Sequence, residues 1–231
     1  MHYLGFDLET GGFDKYNHTI TEAYFAIWDK EWNLLDELHL YMKNDDGEIH
    51  GEEQAFKVTG IDPESQLLDP NTLTYTEGRA KLLEMLAKHK IPKKRTHFRY
   101  LGQNITYFDI PFMEAQGFLT EDQAKKAGIN HNPLDTTNIV TWLKDMGMLP
   151  SNVGSISSLI DYFELPKGKA HQARDDVHMQ KEIYIRLCNL MKTIFSRENS
   201  REAPKLFDYD NFDFEVEVIK QNSKRPISLV R

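Results

Sequence analysis

The sequence predicts an α/β protein, a mixed sheet with helices packed on it. Strand-like segments follow one another near the N-terminus, and helical patterns alternate with short strands from about residue 74 onward. The chain's 231 residues, 40% of them apolar, suffice for a packed core in one or two domains. The first strand is Tyr3 to Glu9, where Leu4, Phe6 and Leu8 alternate with Gly5, Asp7 and Glu9 as a half-buried strand requires. Ala23 to Asp29 and Leu34 to Tyr41 are aromatic-rich or alternating runs split by the polar Lys30 to Asn33, so three antiparallel strands are expected first. Asn44 to Gly51 reads as loop and Glu52 to Gly60 as a short helix or turn. Thr74, with Glu77 three residues on, forms a capping box for a helix that Lys90 and Pro92 end.

Tyr100 to Gln103 is a fourth strand. Asp109 to Gln116 reads as a helix stopped at Gly117, and Thr120 with Gln123 opens another stopped at Gly128. A fifth strand over Ile129 to Leu134 is expected from the alternation alone, because INHNPL is poor strand sequence. Thr136 to Met146 and Ser155 to Phe163 are amphipathic helices. A long helix runs from about Arg174 to Phe195, with Val177, Ile183, Tyr184, Leu187, Met191 and Ile194 at helical spacing. One domain over residues 1–197 is therefore expected, followed by a distinct stretch, 198–231. There aromatics alternate with acids before a small basic terminus, a composition that suits an edge strand, a partner-binding tail or disorder.

Charge narrows the function classes. Lys plus Arg is 28 against Asp plus Glu 36, a net −8, which argues against a protein held mainly by charge to duplex nucleic acid or to an anionic membrane. No stretch approaches the ~20 consecutive apolar residues of a membrane span, and the N-terminus lacks a secretory pattern, so a cytoplasmic protein is expected. Cys188 is the only cysteine, which leaves no intramolecular disulfide and no cysteine-rich zinc site. Any metal must be held by oxygen or histidine.

The chemistry-bearing residues are acids. Asp7 and Glu9 project from one face of a strand whose other face is apolar. Two carboxylates ~4 Å apart repel by about 4 kcal/mol at an effective dielectric near 20. A divalent cation relieves this, and hard oxygen donors favour magnesium or manganese over zinc. The alternative is a pair of acids at a strand end facing water. Thr10, Gly11 and Gly12 form a turn whose missing side chains would let a ligand approach the backbone. Asp109 follows a short strand, where α/β sheets place ligands, although an N-cap role would suit it equally. Asp176 lies in the opening turns of the long helix beside its apolar face, with Asp175 the more solvated neighbour. His171 stands five residues before Asp176, after the loop LPKGKA, and an imidazole titrating near pH 6.5 can take a proton from water.

Together FDLETGG at Phe6 to Gly12, GQNITYFD at Gly102 to Asp109 and HQARDD at His171 to Asp176 resemble the three motifs of DnaQ-like 3′ to 5′ exonucleases of the histidine type, DEDDh. Asp7, Glu9 and Thr10 match the first motif, and His171, Ala173 and Asp176 match His-x-Ala-x-x-Asp. VTGI at Val58 to Ile61 and LDT at Leu134 to Thr136 are weaker echoes, so the resemblance spans about residues 3–195. Two departures stand out. Gln103 occupies a position where many histidine-type members have His. Asn104, five residues before Asp109, has the spacing of proofreading domains whose third motif uses Tyr, yet Gln172 fills that Tyr position.

The resemblance implies a ribonuclease H-like fold, with a five-stranded mixed sheet whose first three strands are antiparallel and helices on both faces. Asp7, Glu9, Asp109 and Asp176 would hold two Mg2+ or Mn2+ ions ~4 Å apart, with His171 as general base. Thr10, Gly11 and Lys169 would meet substrate, Asn104 would contact substrate or brace the site, and Phe13 or Phe112 would stack on or wedge between bases, with core packing the alternative and the expected place of Phe112. The basic stretch Lys88 to Arg99 is either a phosphate-binding patch or a solvated loop.

The expected activity is release of nucleoside monophosphates from the 3′ ends of single-stranded or frayed DNA. Trimming of RNA ends or short oligonucleotides is the near alternative. A non-catalytic module binding nucleic acid, or a replication or repair protein through the tail, has no need of four acids and a histidine together, and a phosphatase for small phosphates would share the attack on phosphorus.

Overall fold

The computed structural model describes residues 1–166 and 172–195, the last three by backbone. In chain order the elements are β1 (His2–Thr10), β2 (Ile20–Trp28), β3 (Leu34–Lys43), α1 (Glu53–Thr59), α2 (Pro63–Leu68), β4 (Leu73–Thr74), α3 (Tyr75–Lys88), β5 (Phe98–Gly102), α4 (Asp109–Ala115), α5 (Glu121–Ala127), β6 (Ile129–Asp135), α6 (Thr136–Asp145), α7 (Ile156–Tyr162) and α8 (Ala173–Phe195). The chain divides into two units. One holds residues through Asp135 together with α8 as far as Gln180, and the other holds Thr136–Lys167 with α8 from Lys181 onward. The expected domain end near residue 197 and the 198–231 extension lie outside the described residues.

The sheet belongs to the first unit, in the order β4-β3-β2-β1-β5-β6. β1, β2 and β3 are mutually antiparallel, whereas β1–β5, β5–β6 and β3–β4 are parallel. The five expected strands are all present, and the count of five is corrected to six by β4. It escapes sequence reading because two residues carry no periodicity; Leu73 and Thr74 add to the end of β3 opposite Met42 and Lys43. α2 was likewise not expected, although Asp62 caps it by accepting from the Glu64 N–H and Pro63 starts it. The weak sequence of β6 is accommodated by an irregular register. Arg99 pairs with Asn130 and Leu101 with Leu134, so His131–Pro133 bulge past Tyr100, and Pro133 has no ladder bond to supply.

Alternation along β1 creates two unlike faces. Leu4, Phe6 and Leu8 join Phe25, Ile27, Leu40, Leu82, Phe98, Phe112 and Phe118 in the main core, on which α3, α4 and α5 contribute. Phe6 lies 5.8 Å from Phe25 and 4.9 Å from Tyr100, ring to ring. The opposite face is covered by the first turns of α8, which is why β2 is buried along its whole length. Gly5 makes that approach possible. A Cβ there would run into the Trp28 ring and come within 3.2 Å of Val177 Cγ1. Both predicted capping boxes form, Thr74 with Glu77 on α3 and Thr120 with Gln123 on α5.

The second unit buries Val140, Leu143, Met148, Leu149, Leu159, Ile183 and Leu187. Among the described residues no helix is long and apolar enough to cross a membrane.

Gly5→Ala is expected to destabilise the protein by about 1–3 kcal/mol in urea unfolding, the usual cost of overpacking a closed site. Gly154→Ala, whose new methyl would meet only Lys144 Nζ, at 3.5 Å, among the described residues, should change stability by less than about 0.5 kcal/mol. Equal effects would contradict this packing of α8 on β1.

Candidate active site

Because β1 turns its odd-numbered side chains away from the main core, Asp7 and Glu9 emerge beside the first turn of α8, which carries Asp176. One carboxylate oxygen from each of Asp7, Glu9 and Asp176 lies within 4.8 Å of the other two. Asp109 reaches the same strand and acts on both Asp7 and Glu9. It begins α4, only 4% exposed, and its Oδ1 accepts a hydrogen bond from the Leu8 N–H at 3.2 Å. Phe108, not Asp109, is the N-cap of α4, and the Asp109 carboxylate is shared between the Leu8 N–H of β1 and its own N–H at the start of the helix.

Electrostatics follow from this crowding. Burial raises the Asp7 pKa well above the usual carboxylate range, and Asp109, Glu9 and Asp176 raise it further; a hydrogen bond from Gln180 Nε2 to Asp7 Oδ1, 3.0 Å long, opposes them. Glu9 is pushed up to about 8 by burial first, then by Glu22, Asp176 and Asp109. Burial also raises Asp109, against the pull of the Leu8 N–H. Among the described residues, no lysine or arginine is a leading influence on these three acids. An all-oxygen donor set of this spacing suits a hard divalent cation, whose ligand distances are ~2.0–2.6 Å.

The neighbouring turn is locked internally. Thr10 is buried and its hydroxyl donates to the Gly12 carbonyl at 2.8 Å. The Gly11 N–H, expected to face a ligand, donates instead to the Thr19 carbonyl at 2.8 Å, and the Gly11 carbonyl accepts from Glu52. Glycine is required there because a side chain would strike the His50 backbone. Gly12, at φ 144°, adopts a conformation that favours glycine. Asn104 is exposed in the left-handed region, φ 61°, a conformation Asn tolerates. Its N–H and that of Thr106 both donate to the buried Asp135 carboxylate, at 2.9 and 3.0 Å. Lys169 and His171 lie outside the described residues.

Phe112 is core, 1% exposed, rather than a stacking surface. Phe13 is 88% exposed, with its ring edge-on to Phe108, and Gln116 Nε2 ties the same loop to α4 by donating to the Lys15 carbonyl. The basic stretch Lys88 to Arg99 does not adjoin the acids. Arg99 pairs with Tyr3, at the end of β1 remote from Glu9, roughly 20 Å along the strand.

Glu22 and Gln180 were missed in the sequence, and Asp135 was met there only within the weaker echo LDT. Glu22 stands opposite Glu9 in the β1–β2 ladder, 7% exposed, with His39 Nε2 at 2.7 Å from its Oε1. Strand pairing, once drawn, would have found it. Gln180 lies one helical turn beyond Asp176, a spacing visible in the sequence.

No family model matches the sequence, and no curated protein sequence matches it. Solved structures do resemble the fold. E. coli exonuclease I in a zinc-bound complex with single-stranded DNA has a TM-score of 0.65 and 19% identity, covering 85% of this chain and 41% of that one. A moderately thermophilic exonuclease I from Methylocaldum szegediense gives 0.63 and 18%, covering 84% and 43%. A complex of exonuclease I with SSB-Ct gives 0.63 and 17%, covering 85% and 42%. This chain thus spans about two-fifths of the length of those proteins. The likeness and the three sequence motifs agree on one architecture: the chain has the ribonuclease H-like fold found in exonuclease I.

Proposed function

We propose that the chain is a metal-dependent 3′ to 5′ exonuclease that releases nucleoside monophosphates from single-stranded DNA ends. The observation that carries this reading is the convergence of Asp7, Glu9 and Asp176 oxygens within 4.8 Å, with Asp109 bonded to the same strand. A fold shared with an exonuclease complexed with single-stranded DNA favours DNA over RNA as substrate. Trimming of RNA ends by the same residues is the second reading. A purely binding module has no use for carboxylates forced this close, since their repulsion would weaken both stability and attraction for a polyanion.

Asp7, Glu9, Asp109 and Asp176 would hold Mg2+ or Mn2+, as a pair of ions. Bound there, the ions supply charge neutralisation at phosphorus, a more acidic water and stabilisation of the leaving oxygen. The chain's own residues do the rest. His171, by resemblance, accepts the proton of the attacking water. The locked Thr10–Gly12 turn and Asn104 would meet the terminal nucleotide, exposed Phe13 would offer a base a stacking surface, and Lys169 would meet a phosphate. The stretch 198–231 would dock a replication or repair protein, a role suggested by its acidic-aromatic composition.

With 5′-labelled single-stranded DNA and RNA, the protein should produce a one-nucleotide ladder on DNA in Mn2+ or Mg2+ and none in EDTA. Asp7→Asn and His171→Ala should each lower the rate more than roughly 100-fold. A ladder undiminished in Asp7→Asn would overturn the reading.

The metal-free protein should also show a specific pH dependence. Glu9 titrates near 4.5 when unfolded but at about 8 when folded, so between those values the folded state holds a proton the unfolded chain has released. The contribution to stability is full below the unfolded value, shrinks as pH rises through the window, and is gone above about 8. In thermal melts with EDTA, Glu9→Gln should therefore gain on wild type progressively from pH 5 to pH 8. A constant difference across that range would show that Glu9 is not held against its neighbours.

A further inference from the structure

We propose that Gln180 is a positioning residue that fixes the Asp7 carboxylate for cation binding, by donating Nε2–H to one oxygen and leaving the remaining lone pairs to the ion. This deepens the metal-dependent reading above and rests on it. Gln180 is 1% exposed, on the same face of α8 as Asp176, and its Nε2 lies 3.0 Å from Asp7 Oδ1. One helix therefore supplies both a candidate ligand and the brace for another on β1.

The other end of the amide is what makes the residue informative. Gln180 Oε1 is buried without a hydrogen-bond partner among the described residues. It sits against β5, where a Cβ on Gly102 would come within 3.0 Å of it and would also strike Ile105. A buried acceptor with no donor lowers stability, and a leucine or methionine of similar volume would avoid that cost. Packing alone thus favours an apolar residue at 180. The amide contributes one thing such a residue lacks, a donor aimed at Asp7.

Its neutrality matters as much as its N–H. A lysine or arginine would orient Asp7 equally well, but its positive charge would compete with the cation for the carboxylates. An amide holds the anion in one orientation and adds no charge. Outer partners of this kind usually affect metal affinity by 10–100-fold.

The test is Mn2+ titration of the full chain by calorimetry, with thermal melts in EDTA alongside, for wild type, Asp7→Asn, Gln180→Met and Gln180→Leu. Both Gln180 variants should bind Mn2+ about 10-fold or more weakly than wild type. Gln180→Met should melt in EDTA no more than about 2 °C below wild type, or above it. Affinity unchanged within twofold in both variants would overturn the role of Gln180. So would a loss of affinity that appears only in the variant with the lower melting temperature, because that would trace to packing rather than to the donor. Failure of the underlying reading looks different: wild type itself would take up no more Mn2+ than Asp7→Asn.

Discussion

Mutual repulsion among carboxylates is the constraint on which the described structure turns. Asp7, Glu9, Asp109 and Asp176 are drawn into one region from β1, α4 and α8, and burial adds to the cost of charging the first three. Such an arrangement opposes folding unless the rest of the chain enforces it. The enforcement is visible: β1 is central in the sheet, paired along both edges, with a core of large apolar side chains beneath it. Net stability of a domain is small, so a cluster of this kind persists where a ligand recovers the loss.

Each acid is aimed by a different local device. The strict alternation of β1 sends Asp7 and Glu9 to the face opposite Phe6 and Leu8. Immediately after Glu9 the register with β2 shifts, and the chain turns away through the internally bonded Thr10–Gly12 segment. Asp109 is tied to β1 by the Leu8 N–H, and the loop leading to it is pinned by Asp135. Asp176 is set by the close seat of α8 on Gly5 and Trp28, and by a latch farther along the same face. There Glu37 accepts from the Tyr24 hydroxyl and pairs with Arg174 at 3.4 Å.

Much of this was legible in the sequence for a physical reason: chemistry at strand and helix starts leaves local signatures. The alternation of Leu4 to Glu9, the capping boxes at Thr74 and Thr120, and the apolar stripe of α8 each depend on neighbours a few residues away. What stayed hidden depends on register. Glu22 faces Glu9 only because of the β1–β2 pairing, and β4 exists only as an addition to the end of β3. Gly11 was misread for the same reason. Its lack of a side chain looked like room for a ligand, but the space is filled by the His50–Gly51 backbone, which arrives from a loop with no pattern of its own.

The most direct examination of the central idea is anomalous diffraction from crystals of this protein grown with Mn2+. A manganese peak ligated by oxygens of Asp7, Glu9 and Asp176 is the expected result. Saturating Mn2+ that left this cluster empty, with the carboxylates held together by protons or by lysine and arginine contacts instead, would contradict it.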